Sequence, residues 1–367
     1  MGAALSTPRR PSAPAGPPRA LSPSGILRAY GLRPNKRLGQ HFLVDESYLE
    51  RIVDAAEIEP ADTVLEVGPG LGVLTEALCA RAGRVVAVEI DAAMREILTD
   101  RLGRLANLSI VAADILAVDP VALLEADAAG GALGGAMGDA AGQAAGDARA
   151  PGATEAGAPA LAQAHFGPLR GHYKVVANLP YYITSAVLRR LLEARERPTR
   201  AVVMVQKEVA DRITAAPGDM SILAVAIQLH AAVQRVAIVP PGAFHPPPKV
   251  SSAVLRLDLH AAPPVPVDDV RAFFKVVRAG FGQKRKQLKN SVAAGLHVPD
   301  EQAVAALVRA GVDPSRRAQT LTLAEWAALT AAALADGLVA ASDDAAEASG
   351  GAVAARKAGA DAGTAWG

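Results

Sequence analysis

The sequence predicts an α/β protein, with a doubly wound, mostly parallel seven-stranded sheet followed by a small all-helical domain. Three observations carry this expectation. Short β-branched runs alternate with amphipathic stretches from residue 63 onward, the pattern of successive βαβ units. A glycine-rich turn, Gly68-Pro69-Gly70-Leu71-Gly72, follows the first of these runs and opens a helix. Beyond the proline-rich linker at Pro263–Pro266 the strand signals cease and only helical periodicity remains.

Residues 1–33 are rich in Pro, Ser, Arg and Ala, and no acidic residue occurs before Asp45. They are expected to form a disordered basic tail. A cleaved organelle transit peptide is an alternative, but so many prolines disfavour the amphipathic helix it needs, and a solvated tail or misplaced start codon accounts for the segment better. From Lys36 the chain becomes structured, with a helix through Tyr48–Ala56 that places Leu49, Ile52 and Val53 on one face. Strands follow at Thr63–Val67, Arg84–Glu89 and Leu108–Ala113, separated by helices at Leu71–Arg81 and Ala92–Arg101. An Ala/Gly/Asp tract, 119–168, lacks aromatics until Phe166 and buries too little to offset its ordering entropy, so a disordered insertion is expected there. The pattern resumes with strands at Tyr173–Ala177, Ala201–Gln206, Gln234–Val239 and Ala253–Leu259, and helices at Ser185–Ala194 and Ser221–Leu229. Residues 34–262 therefore form the sheet domain. Helices at Asp268–Gly280, Gln283–Gly295, Asp300–Ala310 and Thr322–Ala333 build a domain over 263–335, and 336–367 reads as a disordered tail.

With Cys79 the sole cysteine, a disulfide framework and a cysteine metal cluster are both excluded, which suits a reducing compartment such as the cytoplasm. No uncharged apolar run reaches membrane-spanning length, and no signal-peptide apolar region is present. The net charge of +1 conceals an asymmetry: 34–118 carries −6, whereas 166–335 carries +10. Such a concentration points to a polyanionic partner that the whole-chain value would have hidden.

The glycine turn follows a Gly-x-Gly-x-Gly spacing, not the Gly-x-Gly-x-x-Gly of dinucleotide folds. Glu66, two residues before it, would repel a pyrophosphate but suits a ligand bearing an α-ammonium and a sulfonium. Glu89 ends the second strand, where an acid can take ribose hydroxyls, and Asp114 follows the third, beside Ile115, where it could accept from an adenine amine. Singly, each acid reads as a solvated loop carboxylate. Together they define a pocket for S-adenosylmethionine. A second site lies at Asn178-Leu179-Pro180-Tyr181, which ends the fourth strand abruptly. Pro180 fixes its own φ and holds Leu179 out of the helical region, giving a stiff turn able to present a side-chain amide, a carbonyl and a ring to a planar amino-base. Its plainer reading is a strand followed by a proline loop. Taken with the upstream pocket, the turn indicates methyl transfer to a ring-conjugated amine, without a metal or covalent nucleophile.

The ordered motifs Gln40-His41-Phe42-Leu43, Glu66-Val67-Gly68-Pro69-Gly70, Asn178-Leu179-Pro180-Tyr181, Gln206-Lys207-Glu208, Phe244-His245-Pro246-Pro247-Pro248-Lys249-Val250 and Phe281-Gly282-Gln283-Lys284-Arg285-Lys286 resemble those of the small-subunit (16S) ribosomal RNA adenine N6,N6-dimethyltransferases. The resemblance covers roughly 36–118 and 171–333. It implies the class I, Rossmann-like S-adenosylmethionine-dependent methyltransferase fold and dimethylation of two adjacent adenines during small-subunit biogenesis, by a monomer without metal. It also implies that Gln40, His41, Leu43, Glu66, Gly68, Gly70, Glu89, Ile90, Asp114, Ile115 and Asn178 line the cofactor pocket. Asn178, Leu179, Pro180 and Tyr181 would hold the adenine, with Phe244 as a second stacking surface; a core aromatic beneath a proline loop is the alternative for Phe244. His41 departs from the family's usual Asn and is expected neutral beside a sulfonium. Arg271, Lys275 and Arg278 recur at i, i+4 and i+7, and Lys284, Arg285, Lys286 and Lys289 follow with no acid between 271 and 289; phosphate contact is the expected role. The alternatives are a resistance methylase acting on large-subunit RNA, a non-catalytic assembly or transcription factor, and a nicotinamide dehydrogenase, the last disfavoured by Glu66.

Overall fold

A computed structural model describes residues 22–35, 38–128, 173–194 and 196–342. The expected disorder of 1–21, 129–168 and 343–367 lies outside the described residues. The sheet strands are β2 (Thr63–Val67), β3 (Arg84–Glu89), β4 (Leu108–Ala112), β5 (Tyr173–Asn178), β6 (Arg200–Gln206), β7 (Ala231–Val239) and β9 (Ser252–Leu259). Their order is β4-β3-β2-β5-β6-β9-β7. The first five run parallel, and β9 pairs antiparallel with both β6 and β7. The seven-stranded, mostly parallel sheet is thus present. Its central strands read as continuous apolar runs because both faces are covered: all six residues of β3 are buried.

Chain direction across the sheet reverses between β2 and β5, so the crevice beyond their carboxyl ends lies at the topological switch point. The parallel register pairs Glu66 with Val176, and beyond it Gly68 and Asn178 both line the crevice. Both motifs singled out in the sequence therefore meet at one edge of the sheet.

Three departures from the sequence reading shape that edge. First, part of the segment expected to be disordered forms α1 (Pro23–Ala29). Ser22 Oγ accepts from Gly25 N and Pro23 occupies the first turn, a strong start signal. Ile26 and Leu27 then bury against Phe42, Leu71, Met94 and Ile97. Second, a two-stranded sheet joins β1 (Phe42–Leu43) to β8 (Phe244–His245), pairing Phe42 with His245 and Leu43 with Phe244. Third, α5 (Pro120–Ala128) opens the expected insertion. Asp119 Oδ1 accepts from Val121 N, Val121, Leu123 and Leu124 are buried, and Asp127 pairs with the buried Arg84.

Helices α2 (Glu46–Ala56), α3 (Val73–Cys79), α4 (Ala92–Leu102), α6 (Thr184–Leu192), α7 (Lys207–Ile213) and α8 (Ile222–His230) cover the sheet. The C-terminal part comprises α9 (Val270–Phe281), α10 (Leu288–Leu296), α11 (Asp300–Arg309) and α12 (Leu323–Ala335) around the fully buried Trp326. Its core is continuous with Ala224, Val225, Ala226 and Leu229 of α8 and extends to Leu338 and Val339, past the expected boundary at 335. Helix α10 begins at Leu288 instead of Gln283: after Gly282 the chain turns, with Lys286 N donating to Gln283 O, and reaches Gln287 in extended backbone.

Candidate active site

The crevice encloses about 230 Å³ and is lined from the ends of β2, β3, β4 and β5 and from the segment before β1. Gln40, His41, Leu43, Glu66, Gly68, Gly70, Glu89, Ile90, Asp114, Ile115, Asn178, Leu179, Pro180 and Tyr181 all contribute to its wall. Among the described residues three carboxyl groups line it and no Lys or Arg does. This composition disfavours a phosphate and suits a cationic ligand.

Gly68, Gly70 and Gly72 have φ of +67°, +56° and +78°, which side-chain-bearing residues rarely adopt. A Cβ at Gly70 would come within 3.1 Å of the Phe42 ring, and one at Gly72 within 2.8 Å of Leu98 and Leu102. The turn is thus a cradle that glycine forms without strain.

Glu66 is 1% exposed and its Oε2 is buried without a hydrogen-bond partner. Burial raises its carboxyl to about 8; the neighbouring Glu89 adds to the rise and the Thr75 hydroxyl opposes it, although no hydrogen bond of good geometry joins Thr75 to Glu66. An orphaned acid at the base of the crevice is what an ammonium-bearing ligand would satisfy. Glu89 is also raised by burial, against hydrogen bonds from Gly70 N at 3.2 Å and Asp91 N at 2.9 Å that hold its two oxygens in place. Asp114 Oδ1 accepts from Leu116 N at 2.9 Å, which orients the carboxylate at the end of β4. Apolar Ile90, 55% exposed, and buried Ile115 flank this part of the wall. Acids for the ammonium, ribose and adenine amine, apolar flanks for a purine and a close-approach glycine turn fit S-adenosylmethionine.

In the other half, Asn178 ends β5 and its Nδ2 donates to the His41 main-chain carbonyl at 3.2 Å. That contact leaves Oδ1 as the acceptor. His41 Nδ1 lies 2.8 Å from the Pro246 carbonyl, and its ring stacks on Tyr181 with centroids 6.0 Å apart at 24°. Tyr181 Oη is 2.7 Å from Ser252 Oγ. His41 therefore ties three separate motifs together. Gln40 is engaged structurally: Oε1 accepts from Asn35 N at 2.8 Å and Nε2 donates to Asp91 Oδ2 at 2.9 Å, clipping the segment before β1 to the end of β3.

Phe244 is the exception. It is 4% exposed, sits in the core with Leu43, Met204 and Val254, and does not line the crevice. Pairing of β8 with β1 turns its side chain inward, so the core alternative describes it. The exposed aromatic at the crevice wall is Tyr182, 63% exposed beside Gly39. A second consecutive tyrosine after Pro180 was its only sequence signal. Of the basic residues, Arg271 and Lys275 are exposed on α9, Arg278 is half-buried with its guanidinium lowered by burial, and Lys289 is half-buried near the start of α10. Lys284, Arg285 and Lys286 project from the exposed turn between α9 and α10.

Comparison with known proteins bears on this arrangement. The profile of the ribosomal RNA adenine dimethylase family matches residues 31–332. Ribosomal RNA small subunit methyltransferase A of Dehalococcoides mccartyi is 41% identical over 301 residues, covering 82% of this chain and 89% of the relative. Its counterpart from Anaeromyxobacter dehalogenans is 42% identical over 313 residues, covering 85% and 97%. Among solved structures, the 23S rRNA methyltransferase ErmE aligns with a TM-score of 0.56 at 26% identity, covering 79% of this chain and 98% of that one. A dimethyladenosine transferase from Plasmodium falciparum shares the fold with a TM-score of 0.59 at 23% identity, covering 81% and 98%.

Proposed function

The chain belongs to the ribosomal RNA adenine dimethylase family, and on that premise we propose that it transfers methyl groups from S-adenosylmethionine to the N6 amine of adenines in small-subunit ribosomal RNA. The single observation that carries the reading is the meeting of Asn178 with the glycine turn across the β2/β5 switch point, its amide anchored so that Oδ1 is presented as an acceptor. When bound, S-adenosylmethionine supplies an electrophilic methyl on a positively charged sulfur. The chain supplies position and electrostatics. The N6 amine of adenine is a poor nucleophile because its lone pair is delocalised into the ring. In the first transfer Asn178 Oδ1 and the Leu179 carbonyl each accept a hydrogen bond from one of its two N–H groups. In the second, the one remaining N–H keeps one of these acceptors. Both arrangements favour the pyramidal amine and stabilise the positive charge that develops on nitrogen. The nitrogen then loses one proton to solvent per methyl gained, and S-adenosylhomocysteine is left as the product. Glu66 would hold the ammonium, Glu89 the ribose hydroxyls and Asp114 the adenine amine of the methyl donor. Alignment of donor and acceptor contributes most of the rest.

Two adjacent adenines, each dimethylated, are the substrate, in small-subunit RNA that is either naked or part of an assembling subunit, and the protein acts as a monomer without metal in the cytoplasm. A target base must leave its stack to reach the crevice. Cations between Arg271 and Lys289 hold the surrounding phosphates. The reading is tested by tritiated-methyl transfer from S-adenosylmethionine to undermethylated small subunits and, in parallel, to undermethylated large subunits, followed by nuclease digestion. Label recovered as N6,N6-dimethyladenosine in small-subunit RNA is expected. Label confined to large-subunit RNA would instead assign the chain the activity named for ErmE.

A further inference from the structure

A second basic surface lies beside the crevice, built by the N-terminal segment that the sequence assigned no role. Leu27, Arg28, Leu32, Arg33, Pro34 and His245 line an open cleft between α1 and β8, with Ser24 and Gly31 completing it. Arg28, Arg33 and His245 are exposed. Among the described residues no acid lines the cleft, and neither arginine pairs with one.

Its location relates it to the chemistry. His245 is the register partner of Phe42, and Phe42 lines the crevice. The cleft is therefore about one strand spacing, roughly 5 Å, from the wall of the active site. The next residue, Pro246, carries the carbonyl that meets His41 Nδ1. The surface is also preformed. Ile26 and Leu27, 1% and 3% exposed, anchor α1 in the core, and the Gln40 clip fixes the far end of the segment. Two guanidinium groups on an anchored frame lose little freedom on meeting a ligand, and their planar forks match phosphate oxygens.

We propose that the α1/β8 cleft binds the phosphodiester backbone of the substrate RNA next to the flipped adenine, through Arg28 and Arg33. This rests on the function proposed above. It adds a contact from the opposite end of the chain to the 271–289 cations, so that RNA is gripped by two independent elements. An exposed arginine pair with no acidic partner among the described residues, next to an acid-lined crevice, has no role in holding the cationic methyl donor. An RNA strand threading a base into that crevice must carry its flanking phosphates past the rim.

The test measures affinity for in vitro transcribed small-subunit RNA as a function of salt, using the full chain. Arg28→Gln with Arg33→Gln should reduce the log–log salt slope by about 1.5, as expected for two lost phosphate contacts. Arg28→Lys with Arg33→Lys should retain the slope. The glutamine variant's affinity for S-adenosylmethionine should match wild type, which verifies folding. Replacing Lys284, Arg285 and Lys286 by Gln should lower the slope independently and additively. An unchanged slope in the Arg28/Arg33 glutamine variant, while wild type binds and methylates RNA, overturns this inference and leaves the proposed function standing. Failure of wild type to bind and methylate both the transcript and undermethylated small subunits overturns both. A loss confined to assembled subunits, with naked RNA bound as by wild type, assigns the cleft to a ribosomal protein and overturns the phosphate role.

Discussion

Asn178 at the end of β5 donates its amide N–H to the main-chain carbonyl of His41 at 3.2 Å. A residue of the proposed catalytic turn is thereby oriented by the segment before β1, which lines the crevice. Fixing Nδ2 fixes Oδ1, and the acceptor presented to the adenine amine needs no reorganisation during reaction. Asn178→Ala should lower the methyl-transfer rate by about 10²–10³, the usual cost of removing one preorganised electrostatic contact. Calorimetry should find S-adenosylmethionine still bound within a few-fold of wild type. Unchanged turnover would discard the assigned role.

Burial of Glu66 makes ligand-free stability depend on pH with a definite sign. Its folded carboxyl is raised to about 8, above the unfolded value. Between roughly pH 4.5 and 8 the folded state then holds the proton that the unfolded state has released, so stability falls as pH rises, by an amount on the order of a few kcal/mol. Glu66→Gln removes the titration. Urea midpoints of the ligand-free proteins from pH 5.5 to 8.5 should decline more steeply for wild type than for the variant. Parallel curves would show that Glu66 ionises normally despite its burial.

Glu89→Ala should weaken S-adenosylmethionine by about 10- to 100-fold, the range for losing hydrogen bonds to a charged group. Two effects combine, since the carboxylate faces the crevice and also holds Gly70 N, on which the shape of the glycine turn depends. Isothermal titration reads the dissociation constant, and an unaltered value would exclude the ribose contact.

The sheet was legible because its signals are local. β-branched runs such as Val85–Val88 are buried on both faces, and Asp91 and Ser221 cap helices close to where the pattern starts them. The acids were legible because strand ends of a doubly wound sheet converge by topology, whatever the loops between them. What escaped was decided by contacts distant in sequence. The β1/β8 pair joins residues some 200 positions apart, and no periodicity shows in two-residue strands. Helix α1 was hidden by the surrounding prolines, although Ser22-Pro23 is itself a start signal. Lys284–Lys286 were expected on a helix because Gln283–Gly295 contains few breakers, whereas Gly282 and the extended Gln287 delay the start of α10.

Phe244 tests how far the motif reading can be carried onto the fold. Its side chain is packed with Leu43, Met204 and Val254 behind the β1/β8 pair and contributes no wall to the crevice. Phe244→Ala would open a cavity and should cost about 3–5 kcal/mol of stability, seen as a fall in Tm. A stacking surface and a core residue differ in what they tolerate. Leucine retains apolar bulk but has no π face. Phe244→Leu should therefore keep kcat within a few-fold of wild type at a temperature where both are folded. The opposite pattern, an undiminished Tm with a large loss of kcat in the leucine variant, would mean that the ring leaves the core to meet the base during turnover. Tyr181→Leu provides the contrast. Tyr181 lines the crevice, stacks on His41 and meets Ser252 through its hydroxyl. Its loss should lower kcat several-fold by removing one face against the adenine, since base–aromatic stacking is worth about 1–3 kcal/mol.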